Sequence, residues 1–142
     1  MSNTKNCFNN PCYCINVKRA AGNLTSYYDK ALEKCNLSVG QFSLLWNLAT
    51  IGESNVTKLA ECLGLERSTV VRNLRPLLFD GFISDNAQGG SRDRQLFVTE
   101  KGKEALTIGI PLWKQAQKDI RKIVGSDDLG MFKDVISKLQ KI

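Results

Sequence analysis

The chain has 142 residues, 42% hydrophobic and 24% charged, with 20 Lys and Arg against 14 Asp and Glu for a formal net charge of +6. That balance excludes a disordered polyelectrolyte, fits one domain or one domain with helical arms, and suits a polyanionic partner. Five cysteines and no histidine remove the commonest general base and metal ligand, and no paired CxxC, Gly-rich phosphate loop or GxSxG elbow occurs. A non-enzyme with no cofactor and no metal is therefore expected. The odd cysteine count argues against a disulfide framework. No apolar run approaches the roughly 20 residues that span a bilayer. The opening "MSNTKNCFNNPCYC" lacks the charged-then-apolar order of a secretory signal. A cytoplasmic chain with no membrane partner is expected.

Residues 1–12 read as a flexible polar leader. From 13 to 35, Ile15, Ala20, Ala21, Leu24, Tyr28, Ala31 and Leu32 recur close to helical spacing. Ser38 and Gln41 form a capping box for a helix whose apolar side is Phe42, Leu45, Trp46 and Ala49, ending at Gly52. Residues 55–63 repeat the spacing with Val56, Leu59, Ala60 and Leu63, closed by Gly64. A second short helix follows in "LERSTVVRNLRPLLFDG". With Val70 inward, Leu74 and Leu77 share its side, while Ser68, Arg72 and Arg75 lie opposite. Pro76 lacks an N–H and crowds the carbonyl of Arg72, which predicts a bend or loosening at the far end of this helix. "FISDNAQGGSRDRQLFVT" sets apolar residues on both sides of a Gly-Gly and charge cluster, a β-hairpin pattern with Arg92 and Arg94 at its tip. Thr99 caps a long helix reaching about Val124 with a kink near Pro111, and Ser126 with Asp127 and Asp128 starts a last one. Its apolar stripe is Phe132, Val135, Ile136 and Leu139.

The predicted fold class is mainly α with a small β-hairpin wing, a winged helix-turn-helix. A basic outer face alone is more often that of a solvated amphipathic helix, and a charged hairpin tip that of an ordinary turn. Order and spacing decide between these readings: short helix, Gly turn, Arg/Ser/Thr helix and basic hairpin follow within about 45 residues. A groove-reading helix needs one apolar face to anchor it and another offering Arg, Ser, Thr or Asn to bases and phosphates.

"VTKLAECLGLERSTVVRNLRPLLFDGFI" and "GGSRDRQLFVTEKGKEAL" resemble the winged-helix core of the MarR family of multiple-antibiotic-resistance-type repressors, and flanking helices extend the match to residues 13–142. The resemblance implies an obligate homodimer with intertwined N- and C-terminal helices. It assigns 13–37 to the N-terminal dimerisation helix, 38–100 to the DNA-binding domain and 101–142 to C-terminal dimerisation helices. Two recognition helices would enter successive major grooves of double-stranded DNA at a palindrome, with half-sites about 34 Å apart. Ser68, Thr69, Arg72, Asn73 and Arg75 take the recognition-helix role, with Arg67 at its start. Asn55, Thr57 and Lys58 support from the preceding helix. The family wing carries Asp-x-Arg. Here "GGSRDR" puts Gly90 at the Asp and Arg92 at the Arg, or with a one-residue gap recruits Asp93 and its neighbours; Arg92 is the favoured minor-groove candidate and Arg94 a phosphate contact.

The signal is less legible. Cys35 and Cys62 read as core fillers. Cys14 at a helix start, with Tyr28 fourteen residues on, is similar to the peroxide-sensing OhrR branch, although the branch's other tyrosine is here Lys18. Cys7, Cys12 and Cys14 could equally be unremarkable thiols, or thiolate ligands lacking a fourth partner. An organic effector would fit a crevice lined by Tyr27, Phe42 and Trp46, residues that serve equally well as core. The expected function is a homodimeric repressor released by a small-molecule or oxidant effector. The alternative is a protein-interaction module whose basic face docks an acidic partner.

Overall fold

Side chains that the sequence places at helix starts fix the helix boundaries in the computed structural model, which describes residues 10–86 and 95–142. Ser38 opens helix α2 (Val39–Ile51) with both halves of a capping box: its Oγ accepts from the Gln41 N–H, and Gln41 Oε1 accepts from the Ser38 N–H at 3.0 Å. Asn55 Oδ1 accepts the Lys58 N–H at 2.8 Å to cap α3 (Val56–Leu63). Gly64 then adopts φ +63°, and Leu65 N–H returns to the Ala60 carbonyl, turning the chain into α4 (Arg67–Phe79). Upstream lies α1 (Tyr13–Ala31), followed by a 3-10 turn over Glu33–Cys35.

Strands β1 (Ile83–Asp85) and β2 (Leu96–Val98) pair antiparallel in the register Ile83 to Val98 and Asp85 to Leu96. Ser54 adds an isolated bridge to Leu96, a third extended piece that ties the α2–α3 loop to the wing. The expected tip, with Gly90, Arg92 and Arg94, lies outside the described residues. Thr99 links the wing to α5 (Glu100–Val124): its hydroxyl donates to the Gly81 carbonyl at 2.6 Å and accepts from the Gly102 N–H. A Cβ at Gly102 would stand 2.3 Å from the Phe82 carbonyl oxygen, so that contact needs glycine. Helix α6 (Ser126–Leu139) ends the fold.

The core gathers under α2, where Phe42, Leu44, Leu45 and Leu48 meet Leu59, Val70, Leu77 and Leu96. Two expectations need correction here. The stripe through Ala49 misses the buried Leu44 and Leu48, and Ala49 is exposed. Helix α2 is packed by α3, α4, α5 and β2 together, so it buries more than one face. Cys62 is exposed, not a core filler: at 100° per residue it stands about 110° from the middle of the Val56–Leu59–Ala60–Leu63 stripe. Cys35 is buried as expected, its thiol donating to the Leu32 carbonyl at 3.0 Å, and burial pushes its pKa up. Pro76 and Pro111 both fall within continuous helix, α4 running on to Phe79 and α5 to Val124. The buried Leu74 and Leu77 hold α4 in place on either side of Pro76. Among the described residues no helix is long and apolar enough to cross a membrane.

Candidate nucleic-acid interface

Helix α4 divides cleanly. Val70, Leu74 and Leu77 are 0%, 4% and 1% exposed against the core. On the opposite side Arg67, Ser68, Val71, Arg72 and Arg75 line one open groove. The i, i+4 rows 67–71–75 and 68–72 run side by side there, which is why helical spacing alone brings three guanidinium groups together. Hydroxyls hold two of them: Arg67 Nη1 donates to Thr57 Oγ1 at 3.1 Å, and Arg72 Nη2 to Thr69 Oγ1 at 3.5 Å.

Other expected contacts sit differently. Asn55 spends its side-chain oxygen on the α3 cap, while Thr57 and Lys58 stand exposed beside it. Asn73 is half-buried and turned toward α2, where a Cβ at Gly40 would come within 3.3 Å of its amide nitrogen. It therefore packs between helices and is not among the groove-lining residues.

The candidate sensor residues are dispersed. Tyr27 lines a cleft of about 380 Å³ between α1 and α5, with Lys30, Leu112, Gln115 and Asp119. Its hydroxyl donates to Asp119 Oδ2 at 3.0 Å, and that bond is the main reason its pKa is raised. Phe42 and Trp46 do not share this cleft. Phe42 is a core residue packed beneath Gly109, and Trp46 stacks between it and Trp113 at centroid distances of 5.5 and 5.2 Å. Trp113, Gln115 and Asp119 went unnoticed in the sequence. The i, i+4 pair Gln115 and Asp119 was the available signal, since the amide donates to the carboxylate at 3.0 Å.

Tyr28 donates its hydroxyl to Gln117 Oε1, and burial raises its pKa while Arg121 opposes the shift. Cys14 is exposed on the same helix as Tyr28. Fourteen residues of helix separate them by about 21 Å, so a contact between these side chains requires a second copy of the chain. Cys7 lies outside the described residues. Among the described residues no three His, Cys, Asp or Glu side chains are grouped to hold a metal ion.

Comparison with known proteins places this arrangement. The profile of the MarR family matches residues 37–86. The transcriptional regulator MosR of M. tuberculosis, solved in complex with DNA, is 33% identical, with 92% of this chain and 94% of that one covered and a TM-score of 0.79. The organohalide-sensing regulator RdhR in its ligand-free form aligns over 94% of this chain and 86% of its own at a TM-score of 0.81, with 17% identity. A mutant E. coli MarR complexed with operator DNA aligns over 87% and 89% at a TM-score of 0.75, with 14% identity. At those identities the last two speak to the fold alone. No curated protein sequence matches the chain.

Proposed function

The chain belongs to the MarR family, and on that premise we propose that it is a homodimeric, sequence-specific DNA-binding regulator that represses from a palindromic operator. One observation carries the reading: α4 is anchored by Val70, Leu74 and Leu77 and offers Arg67, Ser68, Arg72 and Arg75 along the opposite groove. Arg suits guanine edges and phosphates, Ser adjusts to either, and the partly exposed Val71 suits a thymine methyl. The DNA complex of MosR supports the same use of the fold. Thr57, Lys58 and Thr69 frame the arginines, and Asn55 and Asn73 act by holding α3 and α4. Arg92 and Arg94, outside the described residues, are the candidates for minor-groove and backbone contacts.

The exposed apolar faces of α1 and α6 support homodimerisation. Neither buries a residue within one chain, and Ile15, Val17, Phe132, Val135 and Leu139 are left exposed on them. Two lobes related by a two-fold axis would meet half-sites about 34 Å apart. The effector, a small molecule or an oxidant, acts by binding or modifying the DNA-incompetent arrangement preferentially. The α1–α5 cleft with Tyr27 is the ligand candidate, and Cys14 facing a partner's Tyr28 the redox one. In this reading the protein is not an enzyme, needs no cofactor, and works in the cytoplasm on chromosomal DNA.

The test is selection from a randomised duplex pool by the full-length protein. Enrichment of a palindrome with salt-dependent affinity is expected. Absence of any enriched duplex would overturn the DNA reading in favour of a docking module for an acidic protein.

A further inference from the structure

Thr57 and Arg67 are ten residues apart, on opposite sides of the Gly64 turn, yet Arg67 Nη1 donates to Thr57 Oγ1 at 3.1 Å. Arg67 lines the outer groove of α4, and Thr57 does not. The hydroxyl is presented from a well-fixed support, since α3 is capped by Asn55 and anchored by the buried Leu59 and Ala60. By contrast, the bond from Arg72 to Thr69 is longer and stays within one helical turn.

A free arginine loses considerable rotamer freedom when it binds. One whose Nη1 is already held loses less, and its remaining N–H groups keep the planar fork that matches a guanine edge or a phosphate. We propose, on the basis of the DNA reading above, that Thr57 is a positioning residue. It does not touch DNA, and it holds the Arg67 guanidinium across the helix-turn-helix so that recognition by Arg67 depends on it. Selectivity at one position of each half-site is then set by a side chain on the helix that does not enter the groove.

The experiment uses the full-length protein and the palindromic duplex it enriches from a randomised pool, together with duplexes altered one base pair at a time in each half-site. Affinities are measured by fluorescence anisotropy for wild type, Thr57→Val, Thr57→Ser, Arg67→Ala and the Thr57→Val/Arg67→Ala double variant. Thr57→Val is expected to weaken binding about 3- to 10-fold, the range of one lost hydrogen bond, and to flatten discrimination at one symmetric position. Thr57→Ser should stay within about twofold of wild type, because the acceptor remains. In the Arg67→Ala background, Thr57→Val should cost nothing further.

An equal loss in that background would overturn the proposal, since Thr57 would then act on DNA by itself. So would a Thr57→Val variant that binds and discriminates like wild type. A lowered melting temperature with discrimination intact would reduce Thr57 to a structural role and overturn it too. Failure to enrich any duplex would overturn the DNA reading and this inference together, whereas enrichment with additive losses would overturn this inference alone.

Discussion

The winged lobe and the helical arms solve the burial problem in opposite ways. In the lobe, α2, α3, α4 and the wing close over their own apolar side chains, with Leu45, Leu48, Leu59 and Val70 fully enclosed. In the arms, no side chain of α1 (19 residues) or α6 (14 residues) is fully buried, and Tyr13, Ile15, Val17, Met131 and Phe132 are exposed. Among the described residues the lobe covers its own apolar side chains, while the arms leave an apolar surface exposed. Helix α5 belongs to both: it buries Ala105, Leu106 and Gly109 under the lobe at its start and exposes Ile123 near its end.

Substitutions can break that contrast, beginning with the lobe. Leu74→Ala removes a buried side chain from α4 and should destabilise the fold by about 2–5 kcal/mol in chemical denaturation. An unchanged midpoint would show that α4 is not anchored as described. In the arms, Val135→Asp on α6 places a charge on a half-exposed position. It should shift the sedimenting species toward monomer and lower the melting temperature, because the stability of an obligate dimer depends on its association. A dimer that sediments and melts like wild type would show that this face of α6 does not hold the protomers together.

Smaller effects sharpen the comparison. Arg72→Ala should cost about 1–3 kcal/mol of specific binding and relax preference at one symmetric position, with thermal stability unaltered. A uniform loss on every sequence would reduce Arg72 to a phosphate contact. Least of all, Tyr28 ties α1 to α5 as a neutral donor, with its pKa raised by burial. Below the ordinary tyrosine value of about 10 it is protonated in both folded and unfolded chains, so its contribution is intact. As pH rises beyond that, the unfolded chain loses the proton first and stability falls until the folded value is passed. Tyr28→Phe should flatten that part of the alkaline stability curve, and an unchanged slope would dissociate Tyr28 from it.

Much of this was readable in the sequence because it rests on local rules. The caps Ser38, Asn55 and Thr99, the Gly64 turn and the two faces of α4 each follow from side chains within a few residues of one another. Strand pairing on both sides of the wing was legible from the apolar runs around the Gly-Gly cluster. What was not legible depends on neighbours distant in sequence. Ala49 and Leu48 differ by one position, and only the simultaneous packing of α2 by several elements decides which is buried. The packing of Asn73 against Gly40 on α2, and of Phe42 against Gly109 on α5, likewise joins residues far apart in the chain. Thr57 was legible as a support for DNA binding, but its partner Arg67 became visible only once the turn had brought α3 against α4.

The measurement that bears most directly on the interface is a titration of the full-length protein against its selected palindrome at increasing salt. Two protomers per duplex, with affinity falling about 10³- to 10⁵-fold between roughly 50 and 200 mM salt, is the expected result for two lobes each placing arginines on phosphates. One protomer per duplex, or affinity equal to that for a scrambled duplex at every salt concentration, would contradict it.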